Sequence, residues 1–170
     1  MVAACSGDGG PAAADPVVLR VGITQTLDSV NPYGTALVSG YEVFGLTYDL
    51  LVGFGPDGEP GPGFADSWER AADGNSWDFD LGLRDQFWEP KWTDGTPATA
   101  ADACFSFQIN LDAIAAESNI GLGYIDPSVA AAGITKAECP DDETMILTTS
   151  DPSTRMLELY VPILPKHIWG

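Results

Sequence analysis

The run from Trp92 to Asp102, Trp-Thr-Asp-Gly-Thr-Pro-Ala-Thr-Ala-Ala-Asp, constrains this chain most because a tight turn leads directly into a capped helix. Asp94-Gly95 is a typical turn pair. Thr99 stands where an N-cap hydroxyl would accept an amide hydrogen bond, and Asp102, three residues later, completes a capping box. The sequence therefore predicts a helix that begins at Ala100.

Apolar residues at spacings of three and four give the predicted helix a stripe that can cover a sheet. The stripe consists of Ala103, Cys104, Phe107, Leu111 and Ile114. One antiparallel hairpin is predicted before the helix in the chain, and a second is predicted after it. The first joins residues 67–72 and 76–83 through Asp73-Gly-Asn75, and the second joins 134–139 and 144–149 through Pro140-Asp-Asp142.

The N-terminal third has weaker signals. Residues 17–23 alternate well enough to predict a strand, and a polar loop follows over 24–33. Aromatic residues at helical spacing predict a helix over 39–48. Closely spaced proline and glycine residues after Gly55 then indicate short strands and turns.

The motifs together resemble those of a known family. The run 92–102 follows Trp-Glu-Arg at 68–70, Trp-Asp-Phe-Asp-Leu at 77–81 and Leu-Arg-Asp at 83–85. This combination is similar to the solute-binding proteins of ABC importers, in the family-5 group that captures oligopeptides, dipeptides and related solutes. The resemblance extends from about Leu19 to the last residue.

The resemblance implies an α/β fold, the N-terminal part of a bilobal, periplasmic-binding-protein-like architecture in which a mixed sheet with short hairpins is packed by helices. We expect a tether over 1–16, the first part of the main lobe over 17–40, and a smaller lobe over 41–150. Residues 151–170 would return to the main lobe, which implies that the family's chain continues beyond them.

In this family the loop after the first strand lines the cleft between the lobes. The corresponding residues are Thr24, Gln25, Thr26 and Leu27, with Tyr124 as a second candidate by approximate position. Hydroxyl, amide and main-chain groups suit a polar ligand such as a peptide backbone; an ordinary polar surface loop is the alternative. The implied partners are a peptide or other small solute and the permease subunits in the membrane, without a cofactor.

Charge excludes one class of partner. The chain has 25 acidic and 7 basic residues among 170, a net charge of −18. Nucleic acid is therefore not expected as a partner, and the charge is interpreted as a solubilising surface. No run of 18 apolar residues is present, so any membrane attachment would depend on a lipid anchor.

The cysteines suggest an extracytoplasmic location, in the periplasm or at the cell surface. Val2-Ala-Ala-Cys5 has the form of a bacterial lipobox, which makes Cys5 a candidate for lipidation; an ordinary small-residue N-terminus is the alternative. Cys104 and Cys139 are then the remaining pair. An exported protein permits a disulfide between them, and two buried free thiols are the alternative.

Catalytic motifs are missing from the sequence. His167 is the sole histidine, and no nucleophile-base set, phosphate-binding glycine loop or zinc-ligand spacing accompanies it. We therefore predict a structural role for His167 and no enzymatic activity.

A different class of function remains open at the level of sequence: an acidic carbohydrate- or calcium-binding module of a secreted enzyme. Trp88 and Trp92 could contact a ligand at the surface or pack locally. Acidic turn residues could supply oxygen ligands, although their spacing is not that of an EF-hand loop, so no metal site is predicted. These residues are Asp57, Glu59, Asp73, Asp141, Asp142 and Glu143, to which Asn75 adds an amide oxygen.

Overall fold

The computed structural model describes residues 18–35, 37–82, 90–117 and 127–170. Helices and strands alternate irregularly along these residues. In chain order the elements are α1 (Val38–Phe44), β1 (Val52–Phe54), β2 (Pro60–Pro62), β3 (Ser67–Arg70), β4 (Ser76–Asp80), α2 (Ala100–Ala115), α3 (Pro127–Ala132), β5 (Ile134–Glu138), β6 (Thr144–Thr149), a 3-10 turn (Arg155–Leu157) and α4 (Lys166–Trp169).

Four strands form one antiparallel sheet in the order β3-β4-β6-β5, and β1 and β2 form a separate two-stranded ribbon. Both predicted hairpins are confirmed, as β3-β4 and β5-β6. Helices α2 and α3 lie between the two hairpins in the chain. After them the chain returns to the sheet and β6 pairs with β4. The sheet therefore joins two sequence-distant hairpins.

One face of this sheet forms the core. Trp77 pairs with Leu147 and Phe79 with Met145, and all four are buried. The opposite face of β4 carries exposed Asp78 and Asp80, as the alternation in the sequence predicts. Helix α2 covers the buried face with Ala103 and Phe107, which are fully buried, while the other residues of the predicted stripe are partly buried.

The start of α2 agrees with the prediction. The helix begins at Ala100, and the Asp102 carboxylate accepts the Thr99 backbone N–H at 2.8 Å in a capping box. The helix ends at Ala115, close to the predicted end near Glu117, which has a positive φ of 49°. A residue in this conformation stops helical hydrogen bonding.

The predicted strand over 17–23 is wrong for the residues described, 18–23, which form no strand. Val18, Leu19 and Val21 are 68%, 85% and 68% exposed. Alternation predicts a strand only where another strand supplies a ladder of hydrogen bonds, and no strand pairs with this segment within the described ranges. The predicted helix over 39–48 is shorter than expected and ends at Phe44.

Several apolar residues near the C-terminus are buried in the body of the protein. Val161, Ile163 and Leu164 are buried, and Ile163 donates its N–H to the Asp49 carbonyl at 2.9 Å. Neither α3 nor α4 was expected from the sequence. No helix in the described parts of the chain is long and apolar enough to cross a membrane.

Candidate functional site

The loop predicted to meet a ligand, Thr24 to Leu27, is exposed and has no regular secondary structure. One hydrogen bond ties it to the body of the protein: Ser39 Oγ donates to the Thr26 carbonyl at 3.2 Å. A second contact follows two residues later, where the Thr35 hydroxyl donates to the Asp28 carboxylate. The loop is thus solvent-accessible but held at two points, by Ser39 in α1 and by Thr35, which precedes α1.

Tyr33 lies beside this loop and was not singled out from the sequence. Its ring meets Trp169 edge-to-face, with centroids 6.1 Å apart. Its hydroxyl is buried and has no hydrogen-bond partner among the described residues. Burial, with a smaller contribution from Tyr48, raises the pKa of this phenol. The Asn31-Pro32-Tyr33-Gly34 turn was the sequence signal for this position. Tyr33 connects the N-terminal segment to α4.

A cavity of about 340 Å³ opens elsewhere, between the end of α1 and the turn before α2. Its lining mixes aromatic rings with charges of both signs. The residues that give it this character are Tyr48, Asp49, Phe64, Asp66, Lys91 and Trp92. None of residues 24–27 lines it, so the cavity and the predicted ligand loop are separate features.

Asp102 holds several segments together, beyond its capping role. Its carboxylate is 4% exposed and accepts hydrogen bonds from the Thr99 N–H (2.8 Å), the Trp92 indole N–H (3.2 Å) and the Lys166 N–H (2.8 Å). A buried carboxylate is tolerated because its oxygens are satisfied in this way. Asp102 therefore joins the turn, α2 and α4.

His167 contacts the turn at a second point. Its Nε2 lies 2.6 Å from Asp94 Oδ2. The hydrogen bond to His167, followed by bonds to Thr96, lowers the pKa of the exposed Asp94 carboxyl to about 2. This contact connects α4 to the turn before α2.

The remaining candidate residues divide between two groups. Cys104 and Cys139 are joined by a disulfide, with Cα atoms 6.2 Å apart, which links α2 to the end of β5. Cys5, Tyr124 and Trp88 lie outside the described residues. Trp92 is partly buried, packs against the core and is hydrogen-bonded to Asp102, so it packs locally.

The acidic turn residues use their oxygens within the turns. Asp57 accepts the Glu59 N–H at 3.3 Å, and Asp73 accepts the Asn75 N–H at 2.9 Å. Asp141 accepts the Glu143 N–H at 2.9 Å. Such local bonds are the usual role of aspartate in turns. No group of three or more potential metal-ligating side chains occurs in the part of the chain that the structure describes.

Sequence comparisons relate this chain to known solute-binding proteins. Residues 59–169 match the family model of the bacterial extracellular solute-binding proteins, family 5 middle region. The periplasmic oligopeptide-binding protein OppA of Escherichia coli K12 is 29% identical over 153 residues, which cover 79% of this chain and 25% of that protein. This chain therefore spans about a quarter of that relative's length.

Solved structures give the same result. DppA of Helicobacter pylori, in complex with the peptide STSA, has a TM-score of 0.63 and 26% identity, covering 82% of this chain and 29% of that chain. OppA of Haemophilus influenzae, in complex with RPPGFSPFR, has a TM-score of 0.66 at 24% identity, covering 82% and 29%. The expected α/β architecture, a part of this bilobal fold, is confirmed. The chain belongs to the bacterial extracellular solute-binding proteins of family 5.

Proposed function

We propose that this chain is part of the substrate-binding component of an ABC importer. The protein would capture a peptide or a related small solute in a cleft between two lobes and deliver it to the permease subunits in the membrane. The family match over residues 59–169 is the observation that carries this proposal. Capture by lobe closure needs no chemistry, so we propose a binding protein without enzymatic activity or cofactor.

The proposed lobe assignment follows the family pattern. Residues 17–40 would belong to the main lobe, 41–150 to the smaller lobe and 151–170 to the return, after a tether over 1–16. The contact of Tyr33 with Trp169 supports this division, because it joins the two segments that are assigned to the main lobe.

The proposed ligand contacts are Thr24 to Leu27, with Tyr124 as a second candidate. The exposed loop offers hydroxyl, amide and main-chain groups, which can bind a peptide backbone without reading its side chains. The relatives support a peptide as the first choice, because OppA is an oligopeptide-binding protein and the DppA structure holds a peptide.

We also propose an extracytoplasmic location with attachment through a lipid on Cys5. The E. coli relative is periplasmic, and a disulfide such as Cys104–Cys139 persists in oxidising compartments. Mass analysis of the protein isolated from its native membranes tests the anchor. A diacylglyceryl-modified Cys5 is expected, and an unmodified N-terminal segment would contradict it.

Native mass spectrometry of the complete gene product, purified without refolding, tests the function. A retained peptide-sized adduct is expected. The loop assignment is tested by the affinity of a Thr26→Trp variant for the recovered solute, which should fall because a bulky ring occupies the ligand's space. Thr154→Trp, at an exposed threonine outside the loop, is the control. Equal affinities of the two variants would contradict the assignment.

A further inference from the structure

We propose that Ser39 is a positioning residue that sets the conformation of the ligand loop, with Thr35 and Gly40 as its structural partners. This inference rests on the proposed function, since it concerns how the loop 24–28 is presented to a solute. Ser39, Thr35 and Gly40 are all buried, although they lie beside an exposed polar loop.

The Ser39 side chain holds the loop by a hydrogen bond to the loop's main chain. Its side chain is at the start of α1, 3% exposed, and its hydroxyl donates to the Thr26 carbonyl across 13 positions of sequence. Because the donor belongs to a buried side chain, the Thr26 carbonyl has a fixed direction relative to α1. The peptide groups next to it are therefore also restricted in orientation.

Thr35 provides the second anchor. It holds the loop at Asp28, two residues after the position held by Ser39. It is 1% exposed, and its hydroxyl donates to Asp28, whose carboxylate also accepts the Ser29 N–H at 3.0 Å. The loop is thus held at positions 26 and 28. Two anchors this close leave little freedom to Leu27, which lies between them.

Gly40 lets the two anchors coexist. A Cβ at this position would overlap the Thr35 hydroxyl and come within 2.8 Å of the Thr35 Cβ. Only glycine allows α1 to start this close to Thr35. An alanine at position 40 would displace Thr35 and, with it, the contact to Asp28.

A loop held in this way has lost conformational entropy before the solute arrives. Ordering a loop on binding reduces affinity, and a loop that is already ordered avoids that cost. Without the Ser39 hydroxyl we expect the loop to become more mobile and the solute affinity to fall about three- to tenfold, the effect of one neutral hydrogen bond.

The test combines local hydrogen exchange with solute binding in the complete gene product. Ser39→Ala removes the donor, and Gly40→Ala disturbs the second anchor independently. Thr47→Ala is the matched control: it removes a hydroxyl that donates to the carbonyls of Val43 and Phe44, within the same helix and the turn that follows it. The probe is an equimolar mixture of random tri- and tetrapeptides, with uptake followed by native mass spectrometry.

The expected result has two parts. Exchange at residues 24–28 speeds up in Ser39→Ala and Gly40→Ala while exchange in α2 is unchanged, and peptide affinity falls in both variants but not in Thr47→Ala. A merely structural role for Ser39 would alter exchange throughout the fold instead of in the loop alone.

Two results would overturn the inference: unchanged loop exchange in Ser39→Ala, or faster loop exchange with unchanged peptide affinity. Failure of the proposed function looks different, because the unmodified protein would then take up none of the peptides. In that case the exchange rates still decide whether Ser39 holds the loop, and the link to binding falls with the function.

Discussion

Replacing Asp102 by alanine should destabilise the fold far more than replacing any surface carboxylate. The side chain satisfies three N–H donors, from Thr99, Trp92 and Lys166, in a position that is 4% exposed. A hydrogen bond to a charged group contributes about 1.5–3 kcal/mol, and a buried donor left without a partner costs about 1–3 kcal/mol.

These contributions are not additive, since water can enter the space left by the carboxylate and satisfy some of the donors. We therefore expect a loss of about 3–4 kcal/mol, below the roughly 4.5–9 kcal/mol that three additive hydrogen bonds to a charged group would give. Asp102→Asn should cost less, because the amide oxygen still accepts hydrogen bonds although its NH2 group faces a donor.

The assay is urea unfolding followed by tryptophan fluorescence, with hydrogen exchange of residues 161–170 as a local readout. Asp112→Ala is the matched control. Asp112 lies on the same helix but is exposed, and its carboxylate accepts the Gln108 amide at 2.7 Å. If the free energy of unfolding of Asp102→Ala is within about 1 kcal/mol of that of this control, the carboxylate does not hold the three segments together.

Three further predictions use the same unfolding assay. Reducing the disulfide should lower the free energy of unfolding by about 3–4 kcal/mol, because it closes a loop of 35 positions; an unchanged urea midpoint after reduction would contradict this. The pKa of Asp94 is lowered by His167 to about 2 from 3.8, so its contribution is present above pH 4 and is lost as the pH falls to about 2. Asp94→Asn should therefore flatten this part of the stability profile, and an acid transition identical to that of the parent chain would refute the assignment. Glu69 lies directly opposite Asp78 across β3 and β4, so Glu69→Lys should stabilise the sheet by about 0.2–1 kcal/mol, whereas unchanged or lower stability would contradict a repulsion between the two carboxylates.

The features predicted correctly from the sequence are those with local signals. The helix start at Ala100 follows from Thr99 and Asp102, three residues apart, and the first hairpin follows from the Asp73-Gly-Asn75 turn between alternating strands. Each signal and the element it predicts lie within a few residues of each other. Propensity, capping and turn chemistry then agree with the tertiary structure.

The wrong prediction at 17–23 has the opposite cause. Alternating apolar side chains indicate that a segment is suited to a sheet. Whether a partner strand lies beside it depends on the whole fold. The candidate loop that follows was located by family resemblance, and its anchors could not be found from spacing alone. Ser39 and Thr26 are 13 positions apart, and nothing in either residue type indicates the contact.

The sequence did not predict that the C-terminal segment packs along α2, although the polar residues of α2 that bind this segment follow a regular spacing. Asp102, Ser106 and Asn110 recur every fourth residue of α2, and all three are buried. A polar stripe at this spacing lies along one helical face, and burial requires partners for it. The sequence could have indicated that something polar covers α2 here, but not which segment does so.

The geometry explains why an extended segment fits this stripe. Four residues advance a helix by about 6 Å, and two residues advance an extended chain by about 6.5 Å, so every fourth helical side chain can meet every second backbone N–H. Asp102 accepts the Lys166 N–H and Ser106 accepts the Leu164 N–H, both at 2.8 Å, with the two segments antiparallel. Residues 164–166 are therefore held by side chains of a helix in the way that a strand is held by its neighbour. Because Ser106 also donates to the Asp102 carbonyl at 2.8 Å, its hydroxyl is fixed as the acceptor for Leu164. An alanine at position 106 should therefore speed hydrogen exchange at Leu164 before it disturbs the sheet.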